Sequence, residues 1–99
     1  MIQLTSKQRA FLRSQAHSLK PVVQIGAGGL TPAVLESIRE AFNQRELLKV
    51  KVLESAPEGA REMGTAITEA LENVHVPQTI GRTVVLYRPF PENPEIRLP

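Results

Sequence analysis

A glycine cluster near the start of the chain has the composition of a site that holds an anion. It follows the short apolar run Val22–Ile25 and consists of four consecutive residues: Gly26, Ala27, Gly28 and Gly29. Thr31 is a good N-cap, and Pro32 suits the first position of a helix. Glycine permits close approach by another molecule, and the N–H groups at a helix start favour negative charge. The segment therefore predicts a phosphate-binding turn between a strand and a helix.

Three interpretations of this turn differ in the ligand they imply. A dinucleotide-binding fingerprint needs a third glycine where Thr31 stands, and a larger sheet than 99 residues accommodate. A mononucleotide P-loop needs a Gly-Lys-Ser/Thr sequence, which is absent. A G-x-x-G loop clamps the sugar–phosphate backbone of RNA in some small domains. From the loop alone, that interpretation and a tight turn without a ligand remain about equally supported.

Basic side chains are concentrated in the same part of the chain as the glycines. Residues 1–35 contain Lys7, Arg9, Arg13 and Lys20 and no acidic residue. Arg9, Arg13 and His17 recur at every fourth position of a predicted helix, beside its apolar stripe. Without other evidence, these three residues would be interpreted as a basic helix face exposed to solvent. Helix and strand lengths predict that Arg9 and Arg13 lie near the loop, with Arg82 in a turn at the same end of the sheet. This convergence favours binding to a nucleic-acid backbone.

Residues suited to catalysis or metal binding are sparse. The sequence has no cysteine, and its two histidines, His17 and His75, lie in no ligand motif. None of the serines has the context of an activated nucleophile. We therefore predict a protein with no catalytic residues, no metal, no cofactor and no small-molecule substrate. The absence of an apolar stretch of membrane-span length predicts a cytoplasmic protein that does not enter membranes.

The hydrophobic pattern predicts the order α-β-α-β-α-β-β. Strand–helix–strand units and a final hairpin across Gly81-Arg82 together predict a compact α/β domain with one mixed four-stranded sheet. We expect this domain to cover residues 1–88, and the proline-rich tail 89–99 to be extended or loosely attached. The predicted helices are Ser6–Ser18, Thr31–Arg45 and Pro57–Asn73, and the predicted strands are Val22–Ile25, Leu47–Leu53, Val74–Ile80 and Thr83–Tyr87.

Several motifs occur in order along nearly the whole chain: Leu4–Arg9, Pro21–Gly26, Gly29–Thr31, Glu46–Val52, Ile80–Gly81 and Val85–Pro89. Together they resemble the CRM (chloroplast RNA splicing and ribosome maturation) domain in its stand-alone, YhbY-like bacterial form. The resemblance implies a fold similar to the C-terminal domain of translation initiation factor three, and association with pre-ribosomal particles of the large subunit. It also implies RNA contact through the G-x-x-G loop. Relatives often have lysine or a polar residue at the loop's second position, where this chain has Ala27.

These observations lead to one functional hypothesis and one alternative. We expect a monomeric RNA-binding protein that contacts the backbone of ribosomal RNA and acts in maturation of the large ribosomal subunit. The alternative is a ribosome-associated adaptor that binds proteins through its acidic third helix and has little affinity for RNA. The residues expected to contact RNA are Arg9, Arg13, Gly26, Ala27, Gly28, Gly29, Thr31 and Arg82.

Overall fold

The structure, a computed structural model, describes residues 3–99. It confirms the predicted order of elements and the single mixed four-stranded sheet. Met1 and Ile2 lie outside the described residues. The elements are α1 (Ser6–Ala16), β1 (Pro21–Ile25), α2 (Pro32–Ala41), β2 (Leu47–Val52), α3 (Ala60–Ala70), β3 (His75–Ile80) and β4 (Thr83–Tyr87).

The first two helices begin at the capping residues that the sequence predicts. Thr5 and Gln8 form a capping box: the Thr5 hydroxyl accepts from the Gln8 N–H at 3.1 Å, and the Gln8 Oε1 accepts from the Thr5 N–H at 3.0 Å. At α2, the Thr31 hydroxyl accepts from the Val34 N–H at 3.1 Å, and Pro32 occupies the first helical position. These bonds satisfy N–H groups that have no partner inside the helix.

All three helices are shorter than predicted. The predictions that α1 and α2 reach Ser18 and Arg45 are wrong, because the chain turns after Ala16 and Ala41. Instead of starting at Pro57, α3 begins at Ala60, after the non-helical Gly59. It ends before Leu71, whose extended backbone (φ −120°, ψ 135°) accompanies the burial of that side chain in the core. The apolar pattern of the sequence predicts that Phe11 in α1 and Ala70 in α3 face inward, but Phe11 is only half-buried and Ala70 is exposed.

The sheet has the strand order β1-β2-β4-β3. Its first pair is parallel, while β4 is antiparallel to both β2 and β3. The C-terminal ends of β1, β2 and β3 therefore lie at one end of the sheet, which we call the loop end. The edge strands β1 and β3 contain Pro21 and Pro77, respectively.

The two faces of the sheet are covered unequally. On one face, called the α2/α3 side, both helices pack over a large apolar core that includes Ile38, Val50 and Ile67. On the other, called the α1 side, a smaller cluster joins Leu12 and Ala16 of α1 to the sheet. The sheet contributes Leu47, Val85 and Tyr87 to this smaller cluster. Leu47 and Tyr87 lie at the end of the sheet away from the loop and Val85 lies at the middle of β4, so the part of this face nearer the loop is not covered by the cluster.

The tail 89–99 contains no helix or strand but is bound to the domain by Glu46. That side chain is only 3% exposed. Its carboxylate accepts from the N–H groups of Phe90, Glu95 and Ile96 at 2.6, 2.8 and 2.7 Å, respectively. Burial, together with the charge of Glu46, raises the pKa of the Tyr87 hydroxyl. The tail residues Ile96 and Leu98 then pack against the α1 cluster.

Candidate nucleic-acid interface

The glycine loop forms a tight turn whose tip is exposed. The Gly29 N–H donates to the Gly26 carbonyl at 2.9 Å, which closes a four-residue turn with Ala27 and Gly28 at its centre. Both central residues are exposed. The Thr31 N–H then donates to the Gly29 carbonyl at 3.0 Å, directly before the start of α2. The chain thus presents two small residues to solvent immediately before the positive end of a helix.

Gly29 and Gly28 have different roles in this turn. Gly29 is buried with φ +70°, and a Cβ there would lie 3.0 Å from the Pro57 Cγ. Its position therefore requires glycine on both conformational and steric grounds. A Cβ at Gly28 would meet only the Thr31 Cγ2, at 3.4 Å, which is ordinary contact. Consequently Gly29 shapes the loop, whereas Gly28 leaves room for a molecule approaching from outside.

Arg82 lies at the same end of the sheet as the loop. The Leu53 N–H donates to the Ile25 carbonyl at 2.8 Å, and the Val52 N–H donates to the Arg82 carbonyl at 2.7 Å. These bonds align the ends of β1 and β2 with the turn between β3 and β4. Because neighbouring strands are about 4.8 Å apart, the backbone of Arg82 lies about 10 Å across the sheet from the end of β1. The exposed Arg82 side chain extends from this position.

Arg9 and Arg13 are exposed on α1. The helix packs mainly across β2, β3 and β4 rather than along β1. Arg13 borders a groove between α1 and the sheet, together with Lys49 and Ile80. The structure therefore brings Arg13 to the uncovered part of the α1 side, and Arg9 precedes it by one helical turn. Ile80 is paired with Thr83, which directly follows Arg82.

Lys49 and Lys51, on β2, belong to this surface but were not among the predicted site residues. They alternate with buried valines, and the burial of Leu47 in the α1 cluster fixes their direction toward the α1 side. The Lys49 Nζ donates to the His17 carbonyl at 3.4 Å, close to the negative end of the α1 dipole. The signal was present in the sequence, because alternating lysines on a central strand indicate a sheet face that is partly uncovered.

Charge separates the two sides of the sheet. No acidic residue occurs from residue 3 to residue 35, and the acids that lie next to α1 include buried Glu46 and Glu95 of the tail, which border Gln15 and Leu19. Basic residues on the α1 side include Arg9, Arg13 and Lys51. The helices of the α2/α3 side and the segments that flank α3 carry Glu36, Glu40, Glu54, Glu58, Glu62, Glu69 and Glu72. Such asymmetry attracts a polyanion to the α1 side.

Within the described part of the chain, we also looked for a metal site and for a membrane-spanning helix. Residues 3–99 contain no cluster of three or more His, Asp or Glu side chains that could hold a metal ion. No helix within the same range is long and apolar enough to cross a membrane.

The chain is a four-stranded α/β domain with a G-x-x-G turn between β1 and α2 and with Arg9 and Arg13 exposed on α1, features that together define a class of protein. The sequence model of the CRS1 / YhbY (CRM) domain matches residues 4–88, and the protein is a member of that family.

Three relatives show how far the similarity extends. The chain is 44% identical to the Probable RNA-binding protein YqeI of Bacillus subtilis, over 97% of its own length and 99% of the relative's. It is also 44% identical to an RNA-binding protein of Haemophilus influenzae, covering 100% of this chain and 98% of that one. The solution structure of the hypothetical protein SAV1595 from Staphylococcus aureus is 39% identical and superimposes with a TM-score of 0.81. That match covers 98% of this chain and 100% of the other.

Proposed function

We propose that the protein binds RNA through its sugar–phosphate backbone, with residues 26–29 as the clamp. The supporting observation is that the glycines of the loop differ in role. Buried Gly29 fixes the turn, and the turn leaves Ala27 and Gly28 exposed at the end of the sheet where Arg82 also lies. Backbone N–H groups at a helix start bind phosphate without side chains. Relatives with 44% identity over nearly their full length carry the name RNA-binding protein.

The RNA that we propose as the partner is precursor RNA of the large ribosomal subunit, contacted by one copy of the protein. Phosphate contacts from Arg9 and Arg13 would add to those of the loop, since both side chains are exposed on the acid-free segment. With few aromatic residues, the protein would recognise mainly the shape and charge of the RNA. Crosslinking in cells followed by sequencing of the attached RNA tests this partner. Predominant recovery of RNA other than large-subunit RNA would refute it.

The direct test of the clamp is Gly28→Asp, with Gly28→Ala as the matched control. Aspartate adds a negative charge at the exposed tip, so we expect RNA affinity to fall by about 30-fold, corresponding to ~2 kcal/mol. Alanine adds only the Cβ for which the loop has room, so we expect a change of less than about threefold. Circular dichroism and thermal melting verify that both variants are folded. A folded aspartate variant with wild-type affinity would make the loop a turn without a ligand.

A gain-of-function variant tests the same loop from the other direction. Ala27→Lys restores the cation that relatives often carry, so we expect tighter binding and a salt dependence steeper by about one phosphate contact. An unchanged slope would mean that the second position of the loop faces away from the RNA.

The seven acidic residues on the α2/α3 side favour a second candidate, a ribosome-associated adaptor that binds proteins. A salt titration of RNA binding distinguishes the two functions. Phosphate contacts predict a logarithm of affinity that falls linearly with the logarithm of salt concentration. Weak binding with a flat salt dependence would favour the adaptor.

A further inference from the structure

We propose that the groove between α1 and the uncovered part of the sheet binds an unpaired base of single-stranded RNA. This inference rests on the proposed RNA-binding function and adds a second site to it. The groove, called the α1–sheet groove, encloses ≈ 540 Å³. A volume in this range suits one small organic group rather than a double helix. Its lining includes Arg13, Ser14, His17, Lys49, Gln78 and Ile80.

Ile80 supplies an apolar surface on which a base can lie. Its side chain is 53% exposed, although it belongs to a strand and has a defined direction. It is paired with Thr83 in β4, and Gln78, two residues earlier, is paired with buried Val85. Both therefore point toward the α1 side. An exposed large aliphatic side chain next to an amide offers contacts to the face and to the edge of a base.

The polar groups around Ile80 suit a base more than a simple ion. Within the described residues, the side-chain amide of Gln78 forms no hydrogen bond, so its donors and acceptor are free to pair with a base edge. Lys49 already donates to the His17 carbonyl and is half-buried, so its charge is held at the wall of the groove. Arg13 lies on the opposite wall. Phosphates on either side of an inserted base would meet these cations.

A basic path connects the groove to the glycine loop. Lys51 lies two residues beyond Lys49 on the same face of β2, about 7 Å closer to the loop end. It is paired with Gln24, which precedes the last residue of β1. Among the described strand residues that face the α1 side, none is acidic. An RNA strand held by the loop would therefore pass Lys51 on its way into the groove without meeting an acidic side chain of the sheet.

Single-stranded RNA fits this route, and duplex RNA does not. The bases of an unpaired strand can be turned out and packed against side chains, whereas those of a duplex are stacked and paired inside it. Because the described lining contains no Phe, Tyr or Trp, the base would pack on aliphatic carbon. We therefore expect a preference for unpaired RNA with little selectivity among the four bases.

The test compares Ile80→Glu with Thr79→Glu. Thr79 is the exposed neighbour on the same strand, but it is paired with Val84 of the α2/α3 core and so points to the other side of the sheet. The two variants add the same charge at adjacent positions. The probes are a single-stranded oligonucleotide of about 12 nucleotides, its abasic counterpart, and a duplex of the same sequence.

We expect Ile80→Glu to lower single-strand affinity by about tenfold and to lower duplex affinity no more than Thr79→Glu does. For the wild-type protein, abasic sites should lower affinity by about fivefold, and Ile80→Glu should remove that difference. Equal effects of the two glutamate variants, or insensitivity of the wild type to abasic sites, would overturn the proposal. Thermal melting verifies that each variant is folded.

Lys51→Ala, with Arg61→Ala on α3 as the control, tests the path. We expect the lysine variant to reduce the salt slope by about 0.7 and the control to leave it unchanged. An unchanged slope for Lys51→Ala would show that the RNA strand does not cross the sheet.

Failure of the proposed groove and failure of the proposed RNA clamp are distinguishable. A loss of affinity in Gly28→Asp but not in Ile80→Glu rejects only the groove, whereas wild-type affinity in folded Gly28→Asp rejects the clamp.

Discussion

The two sides of the sheet differ in the size of their apolar core and in the charge of their outer surface. The α2/α3 side buries the larger core under two helices and carries most of the acidic residues on its outer surface. The α1 side has one helix, a small cluster and a tail, and part of its sheet is left uncovered with basic side chains exposed. The difference indicates that apolar burial on the α2/α3 side contributes more to the folding free energy than burial on the α1 side, whose basic surface is the one that we propose for RNA.

The strongest challenge to this comparison is charge reversal on each side in turn. We expect Arg9→Glu with Arg13→Glu to weaken RNA binding by about 100-fold, because two attractive charges become repulsive. Both side chains are exposed, so the free energy of unfolding should change by less than about 0.5 kcal/mol. Fluorescence anisotropy with labelled RNA and chemical denaturation measure the two quantities.

The matched control for that pair is Arg39→Glu with Arg61→Glu, on α2 and α3. It changes the net charge by the same amount and breaks only the exposed 2.6 Å ion pair between Arg39 and Glu36. We expect it to change RNA affinity far less than the α1 pair. Equal losses from both pairs would mean that net charge, rather than the α1 side, determines binding.

The tail provides the largest expected effect on stability. Glu46→Ala removes the carboxylate that accepts three backbone N–H groups and leaves those donors without their partner. At about 1 kcal/mol for each bond, we expect unfolding to become easier by ~3 kcal/mol. Urea denaturation measures the change, and exposed Glu95→Ala is the control. If both variants are equally stable, the bonds to Glu46 do not hold the tail.

The glycine loop should show a smaller effect on stability. Gly29→Ala forces a Cβ against Pro57 at a residue with φ +70°, so we expect a loss of about 1–2 kcal/mol. Gly28→Ala meets neither constraint, so its loss of stability should be only a few tenths of the loss expected for Gly29→Ala. Thermal melts of the pair test the difference, and similar melting temperatures would show that the buried glycine does not fix the turn.

The smallest effect concerns pH. Burial lowers the pKa of His75, whose ring lies 6.1 Å from that of Tyr87, below the ordinary value of 6.5. The unfolded chain therefore binds the proton more readily, so this contribution to stability is complete above pH 6.5 and is lost as the pH falls toward the lower, folded-state pKa. His75→Phe keeps an aromatic ring there and should flatten that part of the profile. Denaturation at several pH values measures it; an unaltered profile would assign the acid sensitivity to other groups.

The sequence predicted local structure wherever neighbouring residues determine it. The capping box at Thr5, the cap at Thr31 and the hairpin at Gly81-Arg82 each depend on a few adjacent residues, and all are present. The strand order was not predicted, because the insertion of β4 between β2 and β3 depends on contacts between distant segments. For the same reason, the pattern placed Phe11 on the apolar side of α1, whereas the structure leaves it half-buried.

The candidate site was predicted in part. The glycines and Arg82 could be proposed from the sequence, because a loop and a turn at strand ends are visible there. The two lysines of β2 were missed, since their importance depends on how much of the sheet α1 covers. Glu46 was missed as an anchor because its three partners lie 44 to 50 residues later in the chain.

The proline in each edge strand has a consequence for the behaviour of the protein in a crowded cell. An exposed sheet edge is a template on which another chain can add a strand, and growth of this kind leads to aggregates. Pro21 in β1 and Pro77 in β3 lack the N–H that such pairing requires, and the pairing of β3 with β4 is irregular between His75 and Gln78. Both edges of the sheet are therefore poorer templates for strand addition than edges without proline would be.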